Sequence, residues 1–486
     1  MTVTTNHETD EETPLLQGPT KKKTPLPWFQ FTIVLFLQLG EPLTAQVIYP
    51  FAPQLIRDLG ITNGNESKVG YYVGIMQSLF FFTQACTVLH WSRLSDRVGR
   101  KPVILIGLCG LSVSMYCFGL SRTFWGLVLS RALNGALNGN IGVIKSMMAE
   151  LTDSTNISQA YAYMPIAWST GGTLGPIIGG SLSRPAERFP SLFGNNEFLK
   201  KYPYFLPCAV PATYTVCAWF ITYIFLKETV KSPMSFRSLL FKSDKQKKAE
   251  STISTNSETT VYENEESKEK PLPLRSLMTF PVIIAAANYA FLSLVDIAFR
   301  AIQPLFFSTP VELGGLGLPP STIGNILSAF GVLNGIFQIF FFAKIHDRWG
   351  SKKVFTIGIA GSLPLFLSFP IISHIARTQG FTPVLWAAVS AQIVLSIVPS
   401  LSYGAIFIFI TSASPNRASF GATNGLCQVA VSIMRAIGPA TANSLFSLSI
   451  EKNYLGGYLV YYILVMIVGV ALFVASILPN ERVIRK

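Results

Sequence analysis

The chain has 486 residues, half of them hydrophobic and only 13% charged, against roughly 25% charged in an ordinary soluble protein. Most of it therefore belongs in lipid. A net charge of +13 would suit a nucleic-acid partner if it were gathered on one domain or tail. Lys and Arg fall instead in the short gaps between apolar runs, as they do in the cytoplasmic loops of membrane proteins, and no nucleic-acid partner is expected.

Residues 1–27 form a polar tail without the apolar core of a secretory leader, so no cleaved signal is expected. Within this tail Glu11, Leu15 and Leu16 fit an acidic dileucine sorting pattern, which would favour a vacuolar or endosomal membrane over the plasma membrane. Apolar runs near the ~20 residues that cross a bilayer then follow at 29–53, 70–91, 102–120, 124–149, 158–182, 205–226, 279–307, 321–343, 354–374, 384–411, 418–448 and 456–478. The expected fold class is therefore an all-α integral membrane protein with twelve transmembrane helices. Residues 227–276 are dominated by Lys, Glu, Ser and Thr and cannot bury enough surface to fold alone. They read as a linker between two six-helix bundles, 28–226 and 277–478, with a short tail at 479–486.

Basic residues cluster after spans two (Arg93, Arg97, Arg100, Lys101), six (Lys227, Lys231) and eight (Lys344, Arg348, Lys352, Lys353). All three gaps lie on one face if every run crosses once, and that face is expected to be cytosolic, with both termini. Asn65-Glu66-Ser67 would then face outward as a glycosylation sequon, whereas Asn156-Ile157-Ser158 would be cytosolic and silent. Cys86, Cys109, Cys117, Cys208, Cys217 and Cys427 stand singly, with no CxxC, so neither a disulfide framework nor a metal site is expected. No nucleophile–base pair suggests an enzyme.

Charge inside a span costs about 2.5–3.5 kcal/mol on insertion scales, so the few charges there are the candidates for chemistry. Glu41 sits mid-span beside Pro42 and one turn from Gln38. A carboxylate held away from bulk water can exchange a proton near neutrality; the alternative is a permanently paired structural glutamate. Span four carries Arg131, Asn134, Asn138 and Lys145, spaced to lie near one helix face, which should turn a polar stripe toward a cavity. Arg131 stays protonated, so its role is to hold a carboxylate such as Glu41, the preferred reading, or an anionic substrate group. In span seven Asp296, Arg300 and Gln303 share a face, and Asp296 and Arg300 can pair directly, either to lower the cost of insertion or to serve substrate or coupling. Arg435, four residues before Pro439, is the remaining mid-span cation, with structural and substrate-binding roles both open. Phe80, Tyr289 and Phe299 are among the aromatic residues that could line a cavity. A cavity dominated by Glu41 and Asp296 would suit a cation and one dominated by Arg131, Arg300 and Arg435 an anion, and the two influences are expected roughly to cancel.

Span five contains Gly171, Gly175, Pro176, Gly179 and Gly180. Glycines four apart leave one helix face without side chains, on which another helix can pack, and Pro176 permits a bend. The gap after span two reads Asp96-Arg97-Val98-Gly99-Arg100-Lys101, and a degenerate copy, Asp347-Arg348-Trp349-Gly350, follows span eight.

These residues resemble the major facilitator superfamily across essentially the whole chain, which implies two pseudo-symmetric six-helix bundles around a central cavity. The Asp96 and Asp347 segments resemble its loop motif, with Ser92 and Ala343 where the family usually has Gly. The resemblance implies a cytosolic gate of Asp96, Arg97, Gly99, Arg100, Lys101, Asp347, Arg348 and Arg417, with Arg417 as candidate partner of Asp96. The span-five glycines match GxxxGPxxGG, associated in that superfamily with exporters and proton antiporters, and Arg131-x-x-x-Gly135-x-x-x-Gly139 resembles a motif whose Arg is assigned to proton handling. Trp91, Arg184-Pro-Ala-Glu-Arg-Phe-Pro190 and Tyr202-Pro-Tyr-Phe-Leu-Pro207 look like the zinc-induced-facilitator-like subgroup of plants and fungi. The cysteine-rich motif of plant members is not seen here. A fungal multidrug or natural-product exporter, including the type found in mushroom alkaloid clusters, fits as well.

The implied activity is proton-coupled antiport of a small organic molecule by alternating access. Protons would be carried by Glu41, Arg131 and Asp296, and the substrate cavity would include Gln38, Asn134, Asn138, Lys145, Arg300, Gln303 and Arg435. Expected partners are the substrate, protons and the lipid bilayer, with the chain acting as a monomer in the plasma or vacuolar membrane. No cofactor is expected beyond the proton gradient. Proton-coupled uptake, including that of an organic acid or metal chelate, and a transporter-derived nutrient receptor are the alternatives.

Overall fold

A computed structural model describes residues 24–153, 156–230, 274–415 and 420–479, and these form helices and connecting turns with no strand among them. Twelve spans follow in chain order. The first six are α1 (Trp28–Gln46), α2 (Val69–Val98), α3 (Arg100–Leu120), α4 in two pieces (Phe124–Leu137 and Asn140–Leu151), α5 (Ile157–Leu182) and α6 (Phe205–Phe225). The second six are α7 (Phe280–Ser308), α8 (Pro320–Phe340), α9 in two pieces (Ser351–Ala360 and Ser362–Gln379), α10 in two pieces (Pro383–Leu395 and Ser400–Ala413), α11 (Phe420–Glu451) and α12 (Leu459–Ser476). Helix is the form that satisfies every backbone donor and acceptor internally, which the bilayer demands. Seven spans meet a strict test of length and hydropathy. Among the others are α1, α4 and α11, which hold Glu41, Arg131 and Arg435: the polar residues needed at the centre lower their apolarity.

Each bundle packs around its own apolar contacts, α3 on α6 and α2 on α4 in the first, α9 on α12 and α7 on α11 in the second. The halves meet along two seams, α2 against α11 and α5 against α8. Each seam joins the second helix of one half to the fifth of the other, as a pseudo-twofold relation between duplicated halves requires.

The glycines of α5 account for much of this packing. A Cβ at Gly171 would lie 2.6 Å from Pro42, one at Gly175 2.8 Å from Gln46, and one at Gly179 closer still to the Val47 carbonyl oxygen, so α1 lies directly on α5. Gly180 faces the other way, against Gly324 and Pro320 of α8.

The duplicated loop motif also has a structural identity. Gly99 (φ +111°) joins α2 to α3, and Gly350 (φ +76°) joins the Phe342–Trp349 extension of α8 to α9. Both adopt backbone angles that favour glycine. The face bearing these turns is called the motif face below, and the opposite one the far face.

Candidate functional site: a buried charge network at the centre of the bundle

Glu41 lies on α1, almost fully buried. Gln84 of α2 donates a long hydrogen bond of 3.5 Å to its Oε1. The Asn138 amide stands beside the same carboxylate but completes no hydrogen bond of good geometry. Lys145 of α4 and Arg435 of α11 are the cations close enough to act on its charge. Glu41 is thus surrounded by the first half and looks toward the second. Gln38, one turn away, is buried with its Oε1 lacking a hydrogen-bond partner among the described residues.

Arg131 does not pair with Glu41, contrary to the preferred reading of the sequence. It sits seven residues before Asn138, roughly 10 Å along the helix axis toward the far face. There its guanidinium lies 4.5 Å from the centre of the Phe80 ring, with Tyr49 and Cys208 as its electrostatic neighbours. Its Nε and Nη1 meet no hydrogen-bond partner among the described residues. The expected polar stripe on α4 is also interrupted: the helix breaks between Leu137 and Asn140, so Arg131 and Asn134 belong to one piece and Lys145 to the other. Arg131, Asn134 and Asn138 are packed inside the bundle, and Lys145 is half-buried. Trp91 of α2 donates its indole N–H to the Ala136 carbonyl at this break, at 2.7 Å.

In the second half Arg300 and Asp296 form the anticipated pair, Nε lying 3.0 Å from each carboxylate oxygen. Tyr403 of α10 donates to Asp296 at 3.0 Å, and Arg300 rests 5.2 Å from the Phe330 ring centre. Arg435 donates from Nε to Ser293 at 3.2 Å, and Asp296 and Tyr403 lie within its electrostatic reach. A small cleft between the halves, with room for about 30 Å³ of solvent, is lined by Tyr49, Pro176, Phe299, Arg300 and Gln303, among others. Glu41, Arg435, Asp296 and Arg300 thus belong to one network spanning both halves, which reaches Arg131 through Tyr49. The signs do not cancel here: Arg131, Lys145, Arg300 and Arg435 outnumber Glu41 and Asp296, four to two, a net +2.

Among the described residues, the first copy of the loop motif makes its ion pairs inside its own half. Asp96 pairs with Arg100, one turn on, at 2.6 Å, and Arg100 pairs with Glu150 at 2.9 Å, all within the first half. Glu228, just after α6, accepts from the backbone N–H groups of Arg100 and Lys101 at 2.9 and 3.0 Å, capping α3. Arg97 is exposed. Arg417 lies outside the described residues. In the second copy Ser351 stands where the first has Arg100, so the equivalent ion pair cannot form. Asp347 and Arg348 are exposed, and Asp347 has His346 at 3.5 Å. Lys352 instead donates to the Ser476 carbonyl of α12 at 2.9 Å.

Two six-helix halves, their exchanged seams and the repeated glycine turn agree with a sequence profile of the Major Facilitator Superfamily that matches residues 34–439. The chain belongs to the major facilitator superfamily. It is therefore a transporter and not an enzyme. This facilitator is 31% identical to the major facilitator-type transporter psiT2 of Psilocybe cubensis, over 86% of this chain and 83% of that one. It is 30% identical to zinc induced facilitator-like 1 of Arabidopsis thaliana, over 92% and 91%. It is 26% identical to the multidrug transporter mfsB of Aspergillus fumigatus, over 87% and 79%. The subgroup resemblance read from Trp91 and the Arg184 and Tyr202 segments agrees with these relatives.

Sequence reasoning missed Gln84, Tyr49, Tyr403, Ser293, Glu150 and Glu228. The first four are uncharged, and nothing in a linear sequence distinguishes a Tyr or Gln beside a buried charge from one facing lipid. Glu150 and Glu228 lie at helix ends, where carboxylates are ordinary; only the fold brings them to Arg100.

Proposed function

We propose that this facilitator is a proton-coupled antiporter that exports or sequesters a small organic molecule by alternating access, with Glu41 carrying the proton. The observation that carries the reading is a buried carboxylate where α1, α2 and α4 face α11, contacted by neutral amides and near two cations from different helices. Protonation of Glu41 changes the charge between the halves and so can bias their arrangement. The export direction draws support from the α5 glycine motif and from relatives that include a named multidrug transporter. In this reading the motif face and both termini are cytosolic, the chain works as a monomer in the plasma or vacuolar membrane, and the exposed Asn65 is open to glycosylation.

The test uses the full chain in liposomes and a broad library of organic solutes. An imposed pH gradient should drive uptake or release of some of them, and Glu41→Gln should abolish that flux while sparing solute counterflow. Loss of both in the variant would assign Glu41 to binding or folding, and a gradient that drives nothing would remove the antiport reading.

One observation favours a second reading, proton–acid cotransport. The net +2 among the central residues attracts an acidic substrate, and neutralising Glu41 by protonation strengthens that attraction. Proton and acid would then bind cooperatively and cross together.

A further inference from the structure

The segments Arg184–Pro190 and Tyr202–Pro207 have no part in the central network, yet their residues converge on one short helix. This helix, Ala52–Asp58, follows α1 at the far face. Its last two residues point in different directions, as neighbours on a helix must. Asp58 turns toward its own half. It accepts from Arg184 Nε at 3.1 Å and Nη2 at 2.5 Å and from the Tyr204 hydroxyl. Arg184 is held for this in the left-handed region (φ 52°), its own N–H donated to the Pro203 carbonyl at 3.0 Å. Tyr204 is braced by stacking on Phe51, with ring centres 5.2 Å apart. The charge of the pair holds the Arg184 guanidinium well above its ordinary pKa, the Asp58 hydrogen bond being the main cause.

Arg57 turns the other way and crosses to the second half. It donates to Ser308 Oγ at 2.6 Å and to the Ser308 carbonyl at 2.8 Å, at the end of α7, where a cation also meets the negative end of the helix dipole. Glu66 holds its Nε at 2.7 Å. The surrounding far-face contacts are close: Ser78 accepts from the Ala440 N–H at 2.8 Å, and Gly74 abuts Pro439 and Asn443.

The geometry points to a two-ended bolt that holds the far face closed. Asp58, gripped by Arg184 and Tyr204, anchors the short helix to the first half, and Arg57 engages the α7 terminus of the second. Opening of the far face breaks the Arg57–Ser308 contacts and leaves the Asp58 anchor intact. The loop residues that mark this subgroup thus act as the fixed end of a gate, whatever solute is carried and whether or not protons drive it.

Hydrogen exchange on the full chain in lipid nanodiscs tests this. Arg57→Ala should raise exchange at the far-face ends of α2 and α11 by about tenfold, the size expected for losing charge-assisted hydrogen bonds, with the motif-face ends unchanged or more protected. Ser308→Ala should do the same to a smaller degree. Asp58→Asn and Tyr204→Phe should reproduce the pattern, and the Arg57→Ala, Asp58→Asn double variant should open no further than Arg57→Ala, because the two ends act in series. Glu187→Gln, which removes only the exposed partner of Arg184, should leave exchange unaltered. Unchanged exchange in Arg57→Ala, additive effects in the double variant, an equal rise in Glu187→Gln, or a rise at both faces would each overturn the bolt.

Discussion

At Gly179 the backbone of α5 runs so near Val47 that a single added carbon would meet the α1 carbonyl. Neither helix can give way, because α1 also carries Glu41 and α5 also forms the seam with α8. Gly179→Val should therefore separate α1 from α5 and lower stability by about 1–3 kcal/mol, read as a drop in thermal midpoint in detergent. Gly172→Ala makes a contrast on the same helix, since a Cβ there meets no neighbour within 4 Å, and should leave the midpoint near that of the parent. The spacing of these glycines was legible in the sequence, because a smooth helix face has a linear signature. What it packs against was not. Arg131 shows the converse: a single cation in an apolar run announces a role, but its distance from Glu41 depends on how far along α4 it lies when the helices assemble.

Among the elements, α4 departs furthest from its sequence pattern. Apolar periodicity predicts one continuous helix over 124–149, yet the helix parts around Asn138 and Gly139. Gly139 packs against Trp91 of α2, whose indole N–H satisfies the Ala136 carbonyl. The break places Asn138 beside Glu41 and leaves Lys145 on a separate piece. Trp91→Phe keeps the ring and removes the hydrogen bond, so it should destabilise the break by about 1 kcal/mol and raise amide exchange in 136–142 more than elsewhere in α4. Uniform exchange along α4 in that variant would show that Trp91 acts by packing alone. The loop motif makes a related point about duplication. Both copies keep the glycine turn, but the exchange of Arg100 for Ser351 removes an ion pair from the second, and the two halves are tied differently: by Glu228 on α3 and by Lys352 on α12.

At the scale of the whole molecule the balance of charge decides between modes of transport. Four cations and two carboxylates meet across the interface, and Asp296 and Arg300 neutralise one another at contact distance. If an acidic solute is carried, protonating Glu41 removes a competing negative charge, and affinity should rise as pH falls. If a cationic solute is carried, proton and substrate compete, and affinity should fall as pH falls, which is the behaviour exchange requires. Binding of 2-naphthoate and 2-naphthylmethylamine to the detergent-solubilised protein between pH 5 and pH 8, with Glu41→Gln alongside, distinguishes these cases. A pH response that persists in Glu41→Gln would remove Glu41 from both. At this scale the bolt at the far face and the charges at the centre are separable, one controlling access and the other occupancy.

Membrane embedding, the count of twelve spans, the division into halves, the glycine face of α5 and the pairing of Asp296 with Arg300 follow from the sequence alone. All rest on composition or on contacts a few residues apart, where helix geometry fixes the outcome. Tertiary structure decided the rest: that Glu41 lies beside Gln84 and Asn138, within electrostatic reach of Lys145 and Arg435 and not paired with Arg131, that Asp96 and Glu150 converge on Arg100, and that Arg57 reaches Ser308. Those contacts join residues far apart in the chain, and their distances depend on the depth and rotation of each helix. Side chains packed across every interface set these together, and no local pattern encodes them.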